Sequence, residues 1–275
     1  MHYTEIKKQI EKNDFAFKKK FGQNFIIDEN IIKCIIDKSN IDKDTLVIEI
    51  GPGAGSLTSF LVQNAGFVLC YEIDTTLTPI LNENLKNKEN YKIIYEDFLK
   101  ADIVSELSKY DYKKIYVVAN LPYYITTPIV VKLIEDKIDI DKIVIMVQKE
   151  VGNRFKAKPN SKDYSSLSIF INYYFDVQKI MDVSKNVFIP KPNVDSIVIL
   201  MEKRKSKISV NNETLFFKLI RDSFKQKRKT LRNNLKDYDL QKIERILNNE
   251  GYSLSSRAEQ IPMEVFIKIV NNYEN

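Results

Sequence analysis

Five short apolar runs constrain this chain more than any other feature. They are LVIEI (46–50), FVLCYEI (67–73), YKIIYE (91–96), KIYVVA (114–119) and KIVIMVQ (142–148). Each is continuous rather than alternating, so each must be covered on both faces, and helix-length stretches separate them. That is the pattern of a parallel sheet with helices on both sides. Two later runs, SIFINYYF (168–175) and DSIVILM (195–201), read as a closing antiparallel pair. Glu29 to Lys38 carries apolar residues at helical spacing, with Asp28 placed to cap it. After Met201 the polar stretch EKRKSKISVNN reads as a linker, and the remainder of the chain reads as helical. There Phe216, Ile220, Phe224, Leu231 and Leu235 form one stripe, and Lys218, Arg221, Lys225 and Arg232 another. Ser256 to Glu259 fits a capping box, and Pro262 suits a first helical turn. The expected organisation is an α/β domain over 1–202 and a small helical domain over 203–275.

Composition removes several classes of chemistry. The only histidine is His2, so no catalytic triad, imidazole shuttle or histidine-ligated metal is available. Cys34 and Cys70 sit in apolar runs and read as reduced core residues, and no CxxC pair suggests a metal. No stretch approaches the roughly 18 apolar residues that span a membrane. The charged N-terminal stretch lacks an apolar signal core, so a cytoplasmic, monomeric protein with no membrane partner is expected. The net charge is +6, and between Lys203 and Lys236 twelve Lys or Arg stand against Glu213 and Asp222. Such a block favours an acidic partner, nucleic acid above all. A solvated helix face in a lysine-rich chain is the plainer alternative.

VIEIGPGAGSLTSFL (47–61) is a strand, a glycine-rich turn and a helix. The turn is GxGxG through Gly51, Gly53 and Gly55. It is neither the GxGxxG of dinucleotide sites nor a GxxxxGK[ST] phosphate loop. Glu49 beside it would repel a pyrophosphate. It suits a cofactor with a positive sulfonium and ammonium, such as S-adenosylmethionine. Glu72 follows the second strand, where a carboxylate accepts from ribose hydroxyls. Asp97 follows the third, where an adenine edge would lie, and Asn120 ends the fourth. All four stand at carboxyl ends of expected strands, where open parallel sheets bind ligands.

The segments KKFGQNFIID (19–28), EIGPGAGSLT (49–58), YEID (71–74), EDFLKAD (96–102), NLPYYITTPIV (120–130), QKEVGNRF (148–155), KDYSSLSI (162–169), FIPKPNVDSIV (188–198) and FKQKRKTLRNNL (224–235) together resemble one family. It is the ribosomal RNA adenine N6,N6-dimethyltransferases of the bacterial small-subunit type. These belong to the class I S-adenosylmethionine-dependent methyltransferases. The resemblance covers nearly the whole chain and departs at Ile26, where leucine is usual. It implies a Rossmann-like catalytic domain, then a small helical domain. It implies cofactor contacts at Asn24, Ile26, Gly51, Glu72, Asp97 and Asn120, with Glu49 and Gly53 added by the loop reading above. The reaction implied is N6,N6-dimethylation of two adjacent adenosines in a hairpin near the 3′ end of 16S rRNA in the immature small subunit.

That chemistry gives NLPY a purpose. An adenine amine is a weak nucleophile because its lone pair is delocalised into the ring. The Asn120 side-chain oxygen and the Leu121 carbonyl can each accept one of its hydrogens. Pro122 fixes the turn without a competing N–H, and Tyr123 offers a flat face for a base taken out of its stack. By analogy with the family, Phe188 would close the other face of the base, and Tyr124 reads as core or pocket wall. Lys18, Lys19, Lys20, Lys225, Lys227, Arg228, Lys229 and Arg232 are the expected RNA contacts, neutralising phosphates without reading sequence. Three rivals remain: a large-subunit RNA dimethyltransferase of the macrolide-resistance type, a non-catalytic ribosome-assembly factor, and a nicotinamide oxidoreductase using Tyr110 and Lys114 as a YxxxK pair.

Overall fold

The structure is a computed structural model, and it describes Lys8, Lys12, Asn13 and residues 15–18, 21–206 and 209–273. In chain order the first elements are β1 (Phe25–Ile26), α1 (Glu29–Ser39), β2 (Thr45–Ile50), α2 (Thr58–Asn64), β3 (Phe67–Tyr71), α3 (Thr78–Asn84), β4 (Tyr91–Ile94), α4 (Ile103–Leu107) and β5 (Lys114–Asn120). Then come α5 (Thr126–Glu135), β6 (Lys142–Gln148), α6 (Lys149–Phe155), α7 (Ser166–Tyr174), β7 (Phe175–Val183), β8 (Phe188–Ile189) and β9 (Ser196–Lys203). The last four helices are α8 (Glu213–Ser223), α9 (Leu231–Asn234), α10 (Leu240–Asn249) and α11 (Met263–Tyr273).

All five continuous apolar runs are strands. They lie in the order β4-β3-β2-β5-β6, followed by β9 and β7 at the far side of a seven-stranded sheet. Neighbours from β4 to β6 pair in parallel, and β9 runs antiparallel to β6 with Val144 opposite Leu200. The chain winds outward from β2 through β3 to β4, then crosses back to lay β5 on the other side of β2. The strand order therefore reverses between β2 and β5, and a ligand crevice opens at the carboxyl ends of such a pair. Every residue of β2 is buried, as a central strand covered on both faces requires. Its core partners include Val68, Cys70, Val118 and Val144. Asp28 caps α1 as expected, its carboxylate accepting from the Asn30 N–H.

The described residues form two compact units. One holds those up to Gly152 together with Gln178–Lys203. The other holds Asn153–Val177 and those from Arg204 onward. The units change over after Gly152, Val177 and Lys203, so the segment 153–177, which includes the first three residues of β7, groups with the helical unit. Within that segment the expected strand at 168–175 is instead helix α7. Ser165 and Ser168 cap it reciprocally: the Ser168 N–H donates to Ser165 Oγ at 3.4 Å, and the Ser165 N–H donates to Ser168 Oγ at 3.1 Å. The aromatic run then packs at helical spacing, with Tyr173 against Phe216 and Phe217. Tertiary burial overrides the β-preference of these side chains.

In the helical unit, Phe216, Ile220, Leu231 and Leu235 are buried. They do not share one helix. The chain leaves α8 after Ser223 and re-enters α9 at Leu231, so the stripe is assembled from two helices that meet at one core. The capping box lies one residue beyond the expected pair. The Arg257 N–H donates to Gln260 Oε1 at 2.7 Å and starts a single 3₁₀ turn, whereas Ser256 Oγ accepts from Ser253. Pro262 does open a helix: the Phe266 N–H donates to its carbonyl at 3.4 Å. Cys70 is buried and Cys34 partly exposed, both as free thiols. Among the described residues, no helix is long and apolar enough to cross a membrane.

Candidate active site at the carboxyl ends of the parallel strands

Four adjacent strands deliver their last residues to one crevice. After β2 the chain turns at Gly51 and Gly53, both in the left-handed region at φ 71° and 58°. That region costs an L-residue energy and glycine almost none. A Cβ on Gly51 would stand in open space, whereas one on Gly53 would lie 2.8 Å from the Phe25 ring. The two glycines thus do different work: the first leaves room over the pocket floor, the second lets the loop close against β1. The Gly51 N–H donates to the Tyr71 carbonyl at 2.9 Å, which ties the loop to the neighbouring strand.

Glu72 follows β3 and is 5% exposed. Its carboxylate accepts the Gly53 N–H at 3.2 Å and the Asp74 N–H at 2.8 Å. Burial outweighs these bonds and lifts its pKa to about 7. Glu49, at 1% exposed, is pushed up to about 8, first by burial; the Thr58 hydroxyl and the Cys70 thiol pull the other way. The Cys70 thiol donates to Glu49 Oε2 at 3.7 Å. Both carboxylates line the same pocket, and the charge of Glu72 further opposes that of Glu49. Asp97 follows β4 and accepts the Leu99 N–H at 3.0 Å. Phe98 beside it meets Tyr71 edge-on, with ring centres 5.2 Å apart.

Asn120 ends β5 across the crevice. Its Nδ2 donates to the Asn24 carbonyl at 2.8 Å, which fixes the amide with Oδ1 left open among the described residues. The Leu121 N–H donates to the Met146 carbonyl at 3.1 Å and holds that peptide against β6. Pro122 receives the Thr126 hydroxyl on its carbonyl at 3.1 Å. The Tyr123 hydroxyl lies 2.7 Å from Ser196 Oγ on β9. Tyr124 is a wall residue rather than core: it is 58% exposed and lies against Gly22.

The sequence-expected residues Asn24, Ile26, Glu49, Gly51, Gly53, Glu72, Asp97, Asn120, Leu121, Pro122 and Tyr123 all line this one pocket. Phe188 does not. It pairs with Ile26 in a two-stranded ladder and is 3% exposed in the core, so the second face of a base has no wall from it in this conformation. Lys18 is committed elsewhere: its ammonium donates to Asp74 at 2.6 Å and to Thr76 at 2.8 Å. Lys19 and Lys20 lie outside the described residues. Lys225, Arg228 and Lys229 are exposed between α8 and α9. Lys227 donates to the Lys162 carbonyl, and Arg232 pairs with Glu244 at 3.1 Å. Tyr110 and Lys114 are not in the pocket. The phenol donates to Glu106, and the ammonium pairs with Asp42, so the YxxxK spacing has no catalytic geometry.

Gln23, Ser56, Tyr71 and Phe98 also line the pocket, beyond the residues expected from the sequence. Gln23 lies inside FGQNF, Ser56 inside EIGPGAGSLT, Tyr71 inside YEID and Phe98 inside EDFLKAD, so the motif around each was its only signal. Ser56 Oγ and the Tyr71 hydroxyl are buried without a hydrogen-bond partner among the described residues, and a buried polar group left so is costly. Two buried carboxylates, two unpaired hydroxyls, an open glycine floor and aromatic walls suit a ligand carrying positive charge, hydroxyls and a flat ring. S-adenosylmethionine has that combination.

The profile of the ribosomal RNA adenine dimethylases matches residues 14–275. A ribosomal RNA small subunit methyltransferase A of Oceanobacillus iheyensis is 42% identical over 98% of this chain and 95% of that protein. One of Staphylococcus aureus strain JH9 is 47% identical over 94% of this chain and 91% of its own. A dimethyladenosine transferase of Plasmodium falciparum has the same fold, with a TM-score of 0.74 at 23% identity, covering 89% of this chain and 95% of that one. So has the 23S rRNA methyltransferase ErmE, at 0.73 and 23%, covering 91% and 100%. With that profile match over residues 14–275, and with relatives 42–47% identical over nearly the whole chain, the chain belongs to the ribosomal RNA adenine dimethylase family.

Proposed function

We propose that this enzyme dimethylates the N6 of two adjacent adenosines in a hairpin near the 3′ end of 16S rRNA, acting as a cytoplasmic monomer on the immature small subunit. The observation that carries the reading is the Asn120 amide. Its nitrogen is spent on the Asn24 carbonyl, so its oxygen is the atom presented to the pocket. When bound, S-adenosylmethionine supplies a methyl group on a positively charged sulfur. Glu49 answers that charge, Glu72 takes the ribose hydroxyls, Asp97 takes the adenine edge, and Asn24, Ile26, Gly51 and Gly53 shape the wall and floor.

Asn120 Oδ1 and the Leu121 carbonyl accept the two hydrogens of the target amine, which localises its lone pair. Pro122 brings no N–H to compete for those acceptors. Tyr123, its hydroxyl held by Ser196, presents its ring to the extruded base. The remaining demand is alignment, which a rigid strand end meets better than a loop. The surplus proton passes to water, so the reaction needs no histidine. Lys225, Arg228 and Lys229, exposed in the helical unit, neutralise phosphates.

The test offers radiolabelled S-adenosylmethionine with unmethylated small subunits and, separately, with protein-free large-subunit RNA. N6,N6-dimethyladenosine appearing only in the small subunit is the expected result. Label in the large-subunit RNA would overturn the substrate, and no label in either would overturn the enzyme.

A further inference from the structure

We infer that Asp74 is a positioning residue for methyl transfer: acting through Gln23, it holds the turn whose Asn24 carbonyl orients the amide of Asn120. The inference rests on the role proposed above for Asn120. Asp74 lies just beyond the pocket lining and is 2% exposed. Its two oxygens are divided. Oδ1 accepts the Lys18 ammonium at 2.6 Å, the Thr76 N–H at 3.1 Å and the Thr76 hydroxyl at 2.7 Å. Oδ2 accepts Gln23 Nε2 at 2.7 Å. Capping the turn at Thr75–Leu77 needs only Oδ1, so Oδ2 is available for Gln23, and its charge strengthens that bond.

Gln23 is held at its other end as well, its Oε1 accepting the Lys18 N–H at 2.8 Å. The next residue, Asn24, closes the turn from within by donating its Nδ2 to the Gly22 carbonyl at 2.9 Å. Its own carbonyl takes the Asn120 amide at 2.8 Å. Downstream, Phe25 and Ile26 are pinned by the ladder to β8. The Asn24 carbonyl therefore sits between two anchors, β8 on one side and Asp74 on the other. Without the second anchor the turn can shift, and Asn120 loses the acceptor that decides which amide atom faces the base. The Asp74 backbone N–H also donates to Glu72, but that bond is main-chain and survives a side-chain change. Substitution at Asp74 thus separates amide orientation from the cofactor carboxylate.

The test uses the full chain with Asp74→Ala, Gln23→Leu and the two combined. Gln23 is half-buried, so its variant keeps the experiment informative if Asp74→Ala folds poorly. Each single change should lower kcat by about 10- to 100-fold, the cost of a small misplacement at a reacting centre. The double variant should fall no further than the lower single. In Asp74→Ala, calorimetric Kd for S-adenosylhomocysteine should rise by a smaller factor than kcat falls; Gln23 lines the pocket, so its variant is judged by kcat at saturating cofactor. In cofactor-free protein labelled with ¹⁵N-asparagine, the Asn120 side-chain resonance, identified by its loss in Asn120→Ala, should move in both single variants. Wild-type kcat in Gln23→Leu, losses that multiply, or an unmoved resonance would overturn the inference. If Asn120→Ala itself turns over normally, the proposed role of the amide fails instead, whatever Gln23→Leu does.

Discussion

The role proposed for Glu49, facing the cofactor's positive charge, makes binding a proton-releasing event. In the free protein burial holds its pKa at about 8, so the carboxyl is neutral at pH 6. A sulfonium or ammonium beside it favours the ionised form. If binding requires the anion, affinity falls roughly tenfold for each pH step below that pKa, to about 100-fold weaker, or roughly 3 kcal/mol, at pH 6. Glu72, with a pKa of about 7, adds up to another ~10-fold at pH 6 if it too must ionise. The free protein should show the opposite trend. A carboxyl raised in the folded state contributes stability that is complete below its unfolded value near 4.5 and is lost as pH rises through about 8. The free enzyme should therefore melt lower at pH 8.5 than at pH 5.5, while the stabilisation conferred by cofactor grows with pH. Calorimetry between pH 6 and 8 in buffers of differing ionisation enthalpy would read the released proton directly. The α-amino group of the cofactor titrates near pH 8, so the ratio of wild-type to Glu49→Gln affinities is the quantity to plot, because that titration cancels in it. Equal ratios at pH 6 and pH 8, with no buffer dependence of the heat, would refute the argument.

Gly53→Ala should bind cofactor more weakly and melt lower, because its φ of 58° alone costs an alanine about 1–2 kcal/mol before the clash with Phe25 is counted. A thermal melt with and without S-adenosylhomocysteine checks both effects. Ser196→Ala and Tyr123→Phe each remove one partner of the same hydrogen bond, worth about 1 kcal/mol. Each should lower kcat/KM for RNA by up to ~10-fold, and the double variant should be no worse than either single, as a mutant cycle would show. Replacing Lys225, Arg228 and Lys229 by alanine should weaken RNA binding with little change in Tm. For every phosphate no longer neutralised, the plot of log affinity against log salt should flatten by about one unit.

Much of the catalytic half was legible because its signals are local. A continuous apolar run must be a doubly covered strand, and a polar residue at its end must face the ligand crevice of a parallel sheet. Glu49, Glu72, Asp97 and Asn120 could therefore be placed from the sequence alone. The illegible parts depended on distant packing. Nothing in SIFINYYF itself announces that Phe216 and Phe217 await it, and its aromatics favour a strand until they do. Phe224 to Thr230 interrupts what reads as one helical stripe, because the stripe needs only a common core and not a common helix. Phe188 and Lys18 illustrate the same limit for single side chains: a ring next to a proline-containing turn can be core, and a lysine in a basic run can serve a buried aspartate. The link from Gln23 to Asp74 had no sequence signal, since neither residue is unusual until the fold brings them together.

The two-rung ladder of Phe25 and Ile26 with Phe188 and Ile189 has a consequence for how the enzyme comes into being. The wall that carries Asn24 belongs to the beginning of the chain, and the strand that secures it is made only after the central five strands have been synthesised. A nascent chain emerging from its N-terminus holds the glycine loop, Glu72 and Asn120 long before it can clip that wall shut. Competence to orient the amide is therefore acquired late in synthesis, when residues near 188 return to meet residues near 25.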